Sequence, residues 1–292
     1  MKLYAPKYYK NFVCIADKCN HSCCIGWEID VDDKTIEKYA SLEHPYGNEI
    51  RNSINSCNTN HFILCENDRC PHLDATNLCK IIKNVGEDYL CDICREHPRF
   101  YNFTNRGKEL GIGISCEEAC RIILENDNYD EFDVIDQNDE LEDVCEFDAI
   151  DHRNYIFAIL KDHSLLITDK IRKICDDYAL TLESQPIKAI LHSLEYLDEK
   201  HKDIILSWDK CYINDNLTDK LTRLLAYFIY RHCSEAIELV DFRLSLGLAC
   251  SLTILISTIA KTDDEIEDVA RIVSEEIEYS EENTIAIKNM FE

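Results

Sequence analysis

Apolar residues recur with a helical period through most of the second half of the chain. Leu221, Leu224, Leu225, Phe228 and Ile229 fall on one helix face. Ile266, Val269, Ala270, Val273 and Ile277 form a second such stripe. Just before it, Thr262-Asp263-Asp264-Glu265 has the form of a capping box, in which the threonine caps the helix and Glu265 reaches back. Leu244–Ala260 runs for 17 residues without a charge and holds five Ser/Thr, which predicts a buried core helix short of a usual membrane span. Nearer the start, Asp32-Asp33-Lys34-Thr35 opens a short helix towards Tyr39. No alternating run of useful length predicts a strand. The expected fold is mainly α, a Cys-rich N-terminal half of short helices and loops followed by a helical half. The expected boundaries are 1–122 for the Cys-rich domain, 123–149 for an acidic linker and 150–292 for the α-helical domain.

Glycine and proline support that division. Six of seven glycines and four of five prolines precede residue 121, so loops concentrate there. Charge is also uneven: residues 1–120 carry 14 Lys/Arg against 18 Asp/Glu, and the remainder carries 17 against 39. Residues 125–148 hold twelve acidic residues and no basic one, interrupted by Tyr129, Phe132, Val134, Ile135, Leu141 and Val144. An overall net charge of −26 repels nucleic acid and anionic membranes, and favours basic partners. The first ten residues contain no apolar signal core, so a soluble cytoplasmic protein is expected.

The cysteines carry the chemistry. There are 17, and twelve precede residue 121. In a reducing compartment such a set points to metal ligation or redox work and not to disulfides. Cys14, Cys19, Cys23 and Cys24 stand within eleven residues; Cys70, Cys79, Cys91, Cys94, Cys116 and Cys120 follow, with Cys57 and Cys65 between. Thiolates in this pattern suit zinc or a 4Fe–4S cluster, and the spacing does not separate the two. The spacing Cys-x3-Cys-x2-Cys is absent, since Gly26 stands where the third thiol would be. His21, His72 and His97 lie near the thiols and are left out of the ligand set. Cys19, Cys23, Cys24, Cys70, Cys79 and Cys94 are expected to converge. Cys145, Cys175, Cys211, Cys233 and Cys250, scattered through helical stretches, read as small buried hydrophobes.

The run FVCIADKCNHSCCIGWEIDVD (12–32) resembles the N-terminal signature of the flagellin lysine-N-methylases. CPHLDATNLCKIIKNVGEDYLCDICREHPR (70–99) is similar to the next block of that family, and Ser115-Cys116 to a third, with Glu117 in place of a proline. LLAYFIYRHC (224–233) and SEEIEYSEEN (274–283) resemble two weaker helical signatures. Departures are His97, where the family has an aromatic residue, and Tyr279, where it has histidine. The resemblance implies methyl transfer from S-adenosylmethionine to lysine ε-amines of flagellin, with an iron–sulfur cluster as a further cofactor. Position by position it implies Cys14, Cys19, Cys23, Cys24, Cys70, Cys79, Cys94 and Cys116 as the metal thiols, leaving Cys57, Cys65, Cys91 and Cys120 as extras.

A lysine ε-amine, with a reference pKa of about 10.4, must lose its proton before attacking a methyl group. Glu276, Glu278 and Tyr279 are the candidate catalytic residues, with Tyr101 and Glu109 as further candidate bases. A solvated helix face is the ordinary reading of the two glutamates of that trio. Gly111-Ile112-Gly113 is a poor match to a glycine-rich cofactor loop, so the cofactor is expected to bind in another way, with Arg99 pairing its carboxylate. The alternative is a non-enzymatic Cys-rich zinc or iron protein.

Overall fold

The computed structural model describes residues 2–57, 59–137 and 147–292. Leu141, Val144 and Cys145 lie outside the described residues. Among those described, thirteen α-helices dominate, and the fold is mainly α. The chain forms two compact units. One, the helical unit, comprises Met1–Phe12, Arg99–Ser115 and Ala119–Glu292; the other, the Cys-rich unit, comprises Val13–Pro98 and Cys116–Glu118.

The helical unit is organised around two neighbouring helices, Thr218–Cys233 and Leu239–Ile259. Leu221, Leu224, Leu225, Phe228 and Ile229 are all inaccessible to solvent, as their periodicity predicts. The uncharged stretch lies in the helix Leu239–Ile259, which is long and apolar enough to cross a membrane by length and composition; 72% of its most apolar window is buried inside the protein. Gly247 lets this helix meet the Phe291 ring, which occupies the space a Cβ would need.

The absence of strands was the wrong expectation. Four strands form a mixed sheet in the order Arg99–Thr104, Gly107–Ile112, Lys2–Pro6, Phe132–Gln137. Lys2–Pro6 runs parallel to Gly107–Ile112 and antiparallel to Phe132–Gln137. Gly107–Ile112 is buried at five of its six positions, so its sequence cannot alternate. Arg99–Thr104 inverts the usual pattern. Asn102 points inward and donates to the Tyr230 carbonyl (2.8 Å), while Tyr101 and Phe103 face out.

The Gly111–Gly113 pair is a packing device. A Cβ on Gly111 would sit 2.2 Å from the Phe100 ring, and one on Gly113 would sit 2.3 Å from the Tyr279 hydroxyl and 2.7 Å from Arg231 Nη1.

The second apolar stripe is also inward, with Ile266, Ala270, Val273 and Ile277 fully buried. Its start differs from the capping box. The helix begins at Ile266 with Glu265 as its N-cap; the Glu265 carboxylate accepts from the Lys261 amide (2.7 Å), and Thr262 supplies only its carbonyl. The helix then passes into one π turn, Ser274–Glu278. A π turn inserts an extra residue and rotates the side chains beyond it about the helix axis. Glu276 and Glu278, expected on a solvated face, are thereby both buried.

The Cys-rich unit is built from short helices, Asp33–Ala40, Gly47–Asn52, Lys80–Val85 and Asp92–Glu96. Asp32 caps the first by accepting from the Thr35 amide (2.9 Å), and its other oxygen accepts from the Asp92 amide (2.9 Å) at the start of the last. One carboxylate so orients two helices. The core is Ile29, Val31, Tyr39, Ile50, Phe62, Leu73 and Ile81, joined by Cys70 and Cys91.

Candidate functional site

All eight thiols implied by the resemblance belong to the Cys-rich unit. Cys24, Cys79 and Cys94 pack, half-buried, on the same core that holds Cys70 and Cys91. These five act on one another electrostatically, as do Cys14, Cys19, Cys23 and Cys116 in a second neighbourhood. The vicinal Cys23 and Cys24 link the two. Four of the six thiols expected to converge (Cys24, Cys70, Cys79 and Cys94) therefore gather in one place, and Cys19 and Cys23 stand in the other. Cys91 completes the first neighbourhood although the resemblance leaves it out; the Cys91-x2-Cys94 spacing was the available signal.

Two neighbouring couples of thiols, Cys23 with Cys24 and Cys91 with Cys94, influence each other most strongly. The adjacent Cys23, with help from Ser22 and the Arg69 charge, draws the Cys24 thiol below its ordinary pKa against the opposing effect of burial. Cys91 is lowered in the same way by Cys94. Burial pushes Cys70 up to about 12. Among the described residues no three His, Cys, Asp or Glu side chains surround one point closely enough to hold an ion as they stand. The donor set suits a thiophilic metal in kind, and holding an ion or cluster would require these side chains to move closer together.

Glu117 has a local task. Its carboxylate accepts from the amides of Asn20 (2.7 Å) and His21 (3.1 Å), meets His21 Nδ1 (3.1 Å) and takes a longer contact from the Cys19 thiol (3.6 Å). It anchors the Cys19–His21 turn beside Cys116. His72 is buried with both ring nitrogens engaged, by Tyr46 and Ser53, which leaves neither for a metal.

The candidate catalytic residues belong to the helical unit and face different partners. Glu276 accepts from the amides of Leu197 (2.7 Å) and Asp198 (3.2 Å) and bonds His201 Nδ1 (2.9 Å). It braces the start of the helix Glu199–Leu206. This contact raises the His201 pKa, because the hydrogen bond to Glu276 favours the protonated ring more than burial opposes it. The folded state thus binds the proton more tightly than the unfolded chain. The stabilisation is complete below the ordinary imidazole pKa and is lost as pH rises through the raised value. Denaturant unfolding at about pH 6 and about pH 8.5 is expected to show lower stability at the higher pH, and His201→Gln is expected to flatten that difference.

Glu278 is the centre of a second network, in which its own carboxylate is fully buried. Its carboxylate accepts from Tyr227 (3.0 Å) and Ser274 (2.5 Å) and meets His232 Nε2 (2.9 Å) and Arg231 Nε (3.2 Å). Burial raises its pKa, but Arg231 and His232 more than offset this and hold the carboxyl below its usual range. Burial pushes the His232 pKa below its ordinary value, against the hydrogen bond to Glu278 that favours the protonated ring. Arg231 in turn lies between two rings, 4.8 Å from the centre of Phe100 and 4.6 Å from that of Tyr279. Of the three candidates, only Tyr279 is exposed, at 39%. Sequence reasoning passed over Tyr227, Arg231 and His232, all three of which lie inside the LLAYFIYRHC motif.

Arg99, expected to meet the cofactor carboxylate, donates from Nε to the Tyr9 hydroxyl (2.8 Å) and lies over the Phe12 ring at 5.6 Å.

The chain is similar to lysine-N-methylases. Proteins of that name from Salmonella typhimurium and Salmonella choleraesuis are each 24% identical to it over 222 residues, which is 65% of this chain and 53% of theirs. The flagellar biosynthetic protein FliU of Salmonella muenchen is 25% identical over 126 residues, or 41% of this chain and 75% of its own. The chain spans about half the length of the lysine-N-methylases it matches. No family model and no solved structure matches it.

Proposed function

We propose that this chain transfers methyl groups from S-adenosylmethionine to lysine side chains of flagellin, with an iron–sulfur centre held by the Cys-rich unit. The observation that carries this reading is the similarity to lysine-N-methylases over 65% of the chain. The gathering of the eight matched thiols in one unit supports the metal part, with Cys24, Cys70, Cys79 and Cys94, and the added Cys91, as the thiols that would hold the group. A cluster with an open iron would supply a site for the amino and carboxylate groups of the cofactor. The acidic surface, with a net charge of −26, draws a lysine-bearing segment towards the protein. Within the helical unit Tyr279 is the candidate group that a substrate amine can meet, and Arg231 and Glu278 position its ring.

The second reading is a Cys-rich zinc or iron protein without catalysis. It draws on the engagement of Glu276 and Glu278, both of which are held by structural partners.

Protein purified without oxygen should be brown if it holds an iron–sulfur centre, whereas a zinc protein is colourless. Incubation with flagellin and isotopically labelled cofactor is then expected to add methyl groups to lysine, read by peptide mass. Cys94→Ser is expected to lose both the colour and the transfer. Coloured wild-type protein that leaves flagellin unmodified would favour the second reading. Full transfer by a colourless, metal-free preparation would separate the activity from the thiols.

A further inference from the structure

In a chain with 57 Asp and Glu against 31 Lys and Arg, a lysine readily finds a carboxylate. Lys7, Lys80, Lys83 and Lys220 each hold one at 2.6–2.8 Å. Lys108 forms no ion pair among the described residues. Its Nζ lies instead 5.0 Å from the centre of the Tyr101 ring and 4.7 Å from that of Phe103. The sheet builds this arrangement. Phe103 stands across from Lys108 in the antiparallel ladder, and Tyr101 is two positions along the same strand, so the three side chains share one face. Arg99–Thr104 is an edge strand, and the two rings are 39% and 59% exposed. Two accessible aromatic rings thus hold an ammonium group where a carboxylate would ordinarily stand.

We propose that Lys108 is a modification site, methylated by this protein itself, with the Tyr101 and Phe103 rings presenting its ε-amine and holding the methylammonium product. The proposal rests on the methyl transfer put forward above. Methylation keeps the positive charge. It replaces N–H groups, which seek water or a carboxylate, by methyl groups that share the charge and pack on ring faces, as in the aromatic cages that receive methylated lysine. The step balances. The ammonium gives a proton to solvent, and the freed lone pair attacks the methyl carbon of S-adenosylmethionine. The carbon–sulfur bond breaks with its electrons going to sulfur, and S-adenosylhomocysteine leaves as a neutral thioether.

The ion-paired lysines are poorer acceptors. At Lys7 and Lys80 the carboxylates of Glu131 and Glu49 favour the protonated amine, and a methyl group would displace an N–H that the carboxylate accepts.

The test uses the whole, anaerobically prepared protein with flagellin in the same tube and isotopically labelled S-adenosylmethionine. Peptide mapping by mass is expected to find label on Lys108, at least several-fold above that on Lys7 and Lys80. Phe103→Ala should lower the label on Lys108 several-fold relative to that on flagellin. Lys108→Arg should remove it while flagellin is methylated as in wild type. Methylated flagellin beside unmodified Lys108 would overturn the proposal and leave the methyltransferase reading standing. Label spread evenly over the lysines, or undiminished at Lys108 in Phe103→Ala, would overturn it as well. If neither flagellin nor Lys108 takes up label, the methyltransferase reading falls and takes the proposal with it.

Discussion

Glu109→Ala is expected to destabilise the helical unit by about 3–5 kcal/mol, the range for breaking a buried ion pair from one side. Glu109 and Arg153 have 3% and 2% side-chain exposure, and the guanidinium makes two parallel bonds to the carboxylate, at 2.6 and 2.8 Å. Arg153 also donates to Ser234 Oγ (2.7 Å) and lies over the Phe132 ring at 4.9 Å and the Tyr230 ring at 5.2 Å. It therefore joins strand Gly107–Ile112, strand Phe132–Gln137 and the end of helix Thr218–Cys233 to its own helix, Ala149–Leu160. Alanine at 109 leaves that charge without its anion in a place water does not reach. The rings cannot replace a carboxylate, because an aromatic contact is worth only about 0.5–2 kcal/mol. Glu109→Gln keeps one acceptor in place and should cost less. The double replacement Glu109→Met with Arg153→Leu removes both charges and should recover most of the loss, since a buried pair is often no more stabilising than apolar side chains of similar volume. Urea unfolding of the four proteins measures this. Equal stability of Glu109→Ala and the double variant would show that lost packing, and not an orphaned charge, sets the cost.

That pair also shows where sequence reading stops. Glu109 was noticed only as a possible base, and Arg153 was not singled out, because a charge inside a helix or strand ordinarily signals solvent. Burial of both depends on their pairing, and pairing across 44 residues leaves no local trace. Features set by a single segment were legible. The stripe from Leu221 to Ile229, the Asp32 cap and the buried uncharged helix all follow from period and composition within one element. The sheet was hidden for the opposite reason. Its strand Gly107–Ile112 is covered on both faces and reads as a featureless run, and Arg99–Thr104 turns its asparagine in and its aromatic rings out. In the thiol unit, cysteine density located the neighbourhood, and the Cys23–Cys24 and Cys91–Cys94 pairs are local in sequence, but the gathering of Cys24, Cys70, Cys79, Cys91 and Cys94 on one core arises from how the short helices pack.

The same limit explains Glu278, whose replacement is expected to have the broadest effect in the chain. One extra residue in the π turn carries this side chain inward, where four partners from two elements converge on it. Glu278→Ala leaves the largely buried Arg231 without its carboxylate and strips acceptors from Tyr227, Ser274 and His232. A loss of about 3–5 kcal/mol in stability is expected, measured by urea unfolding. Glu278→Gln separates folding from function. It keeps the shape and one acceptor oxygen, so the loss should stay near 1–3 kcal/mol, roughly the cost of leaving a buried partner imperfectly bonded. Its effect on activity should be larger than on stability. Arg231 is held on one side by Glu278 and on the other by the Tyr279 ring, and Gly113 leaves the Tyr279 hydroxyl no slack. Weakening the Arg231–Glu278 contact frees the guanidinium and, with it, the ring. If Tyr279 receives or positions the substrate amine, Glu278→Gln and Tyr279→Phe should each lower methyl transfer at least about tenfold, a loss of about 1.4 kcal/mol in transition-state binding, while both remain folded by circular dichroism. Wild-type transfer rates in the two folded variants would remove this cluster from the reaction and leave it as a brace between the π turn and helix Thr218–Cys233.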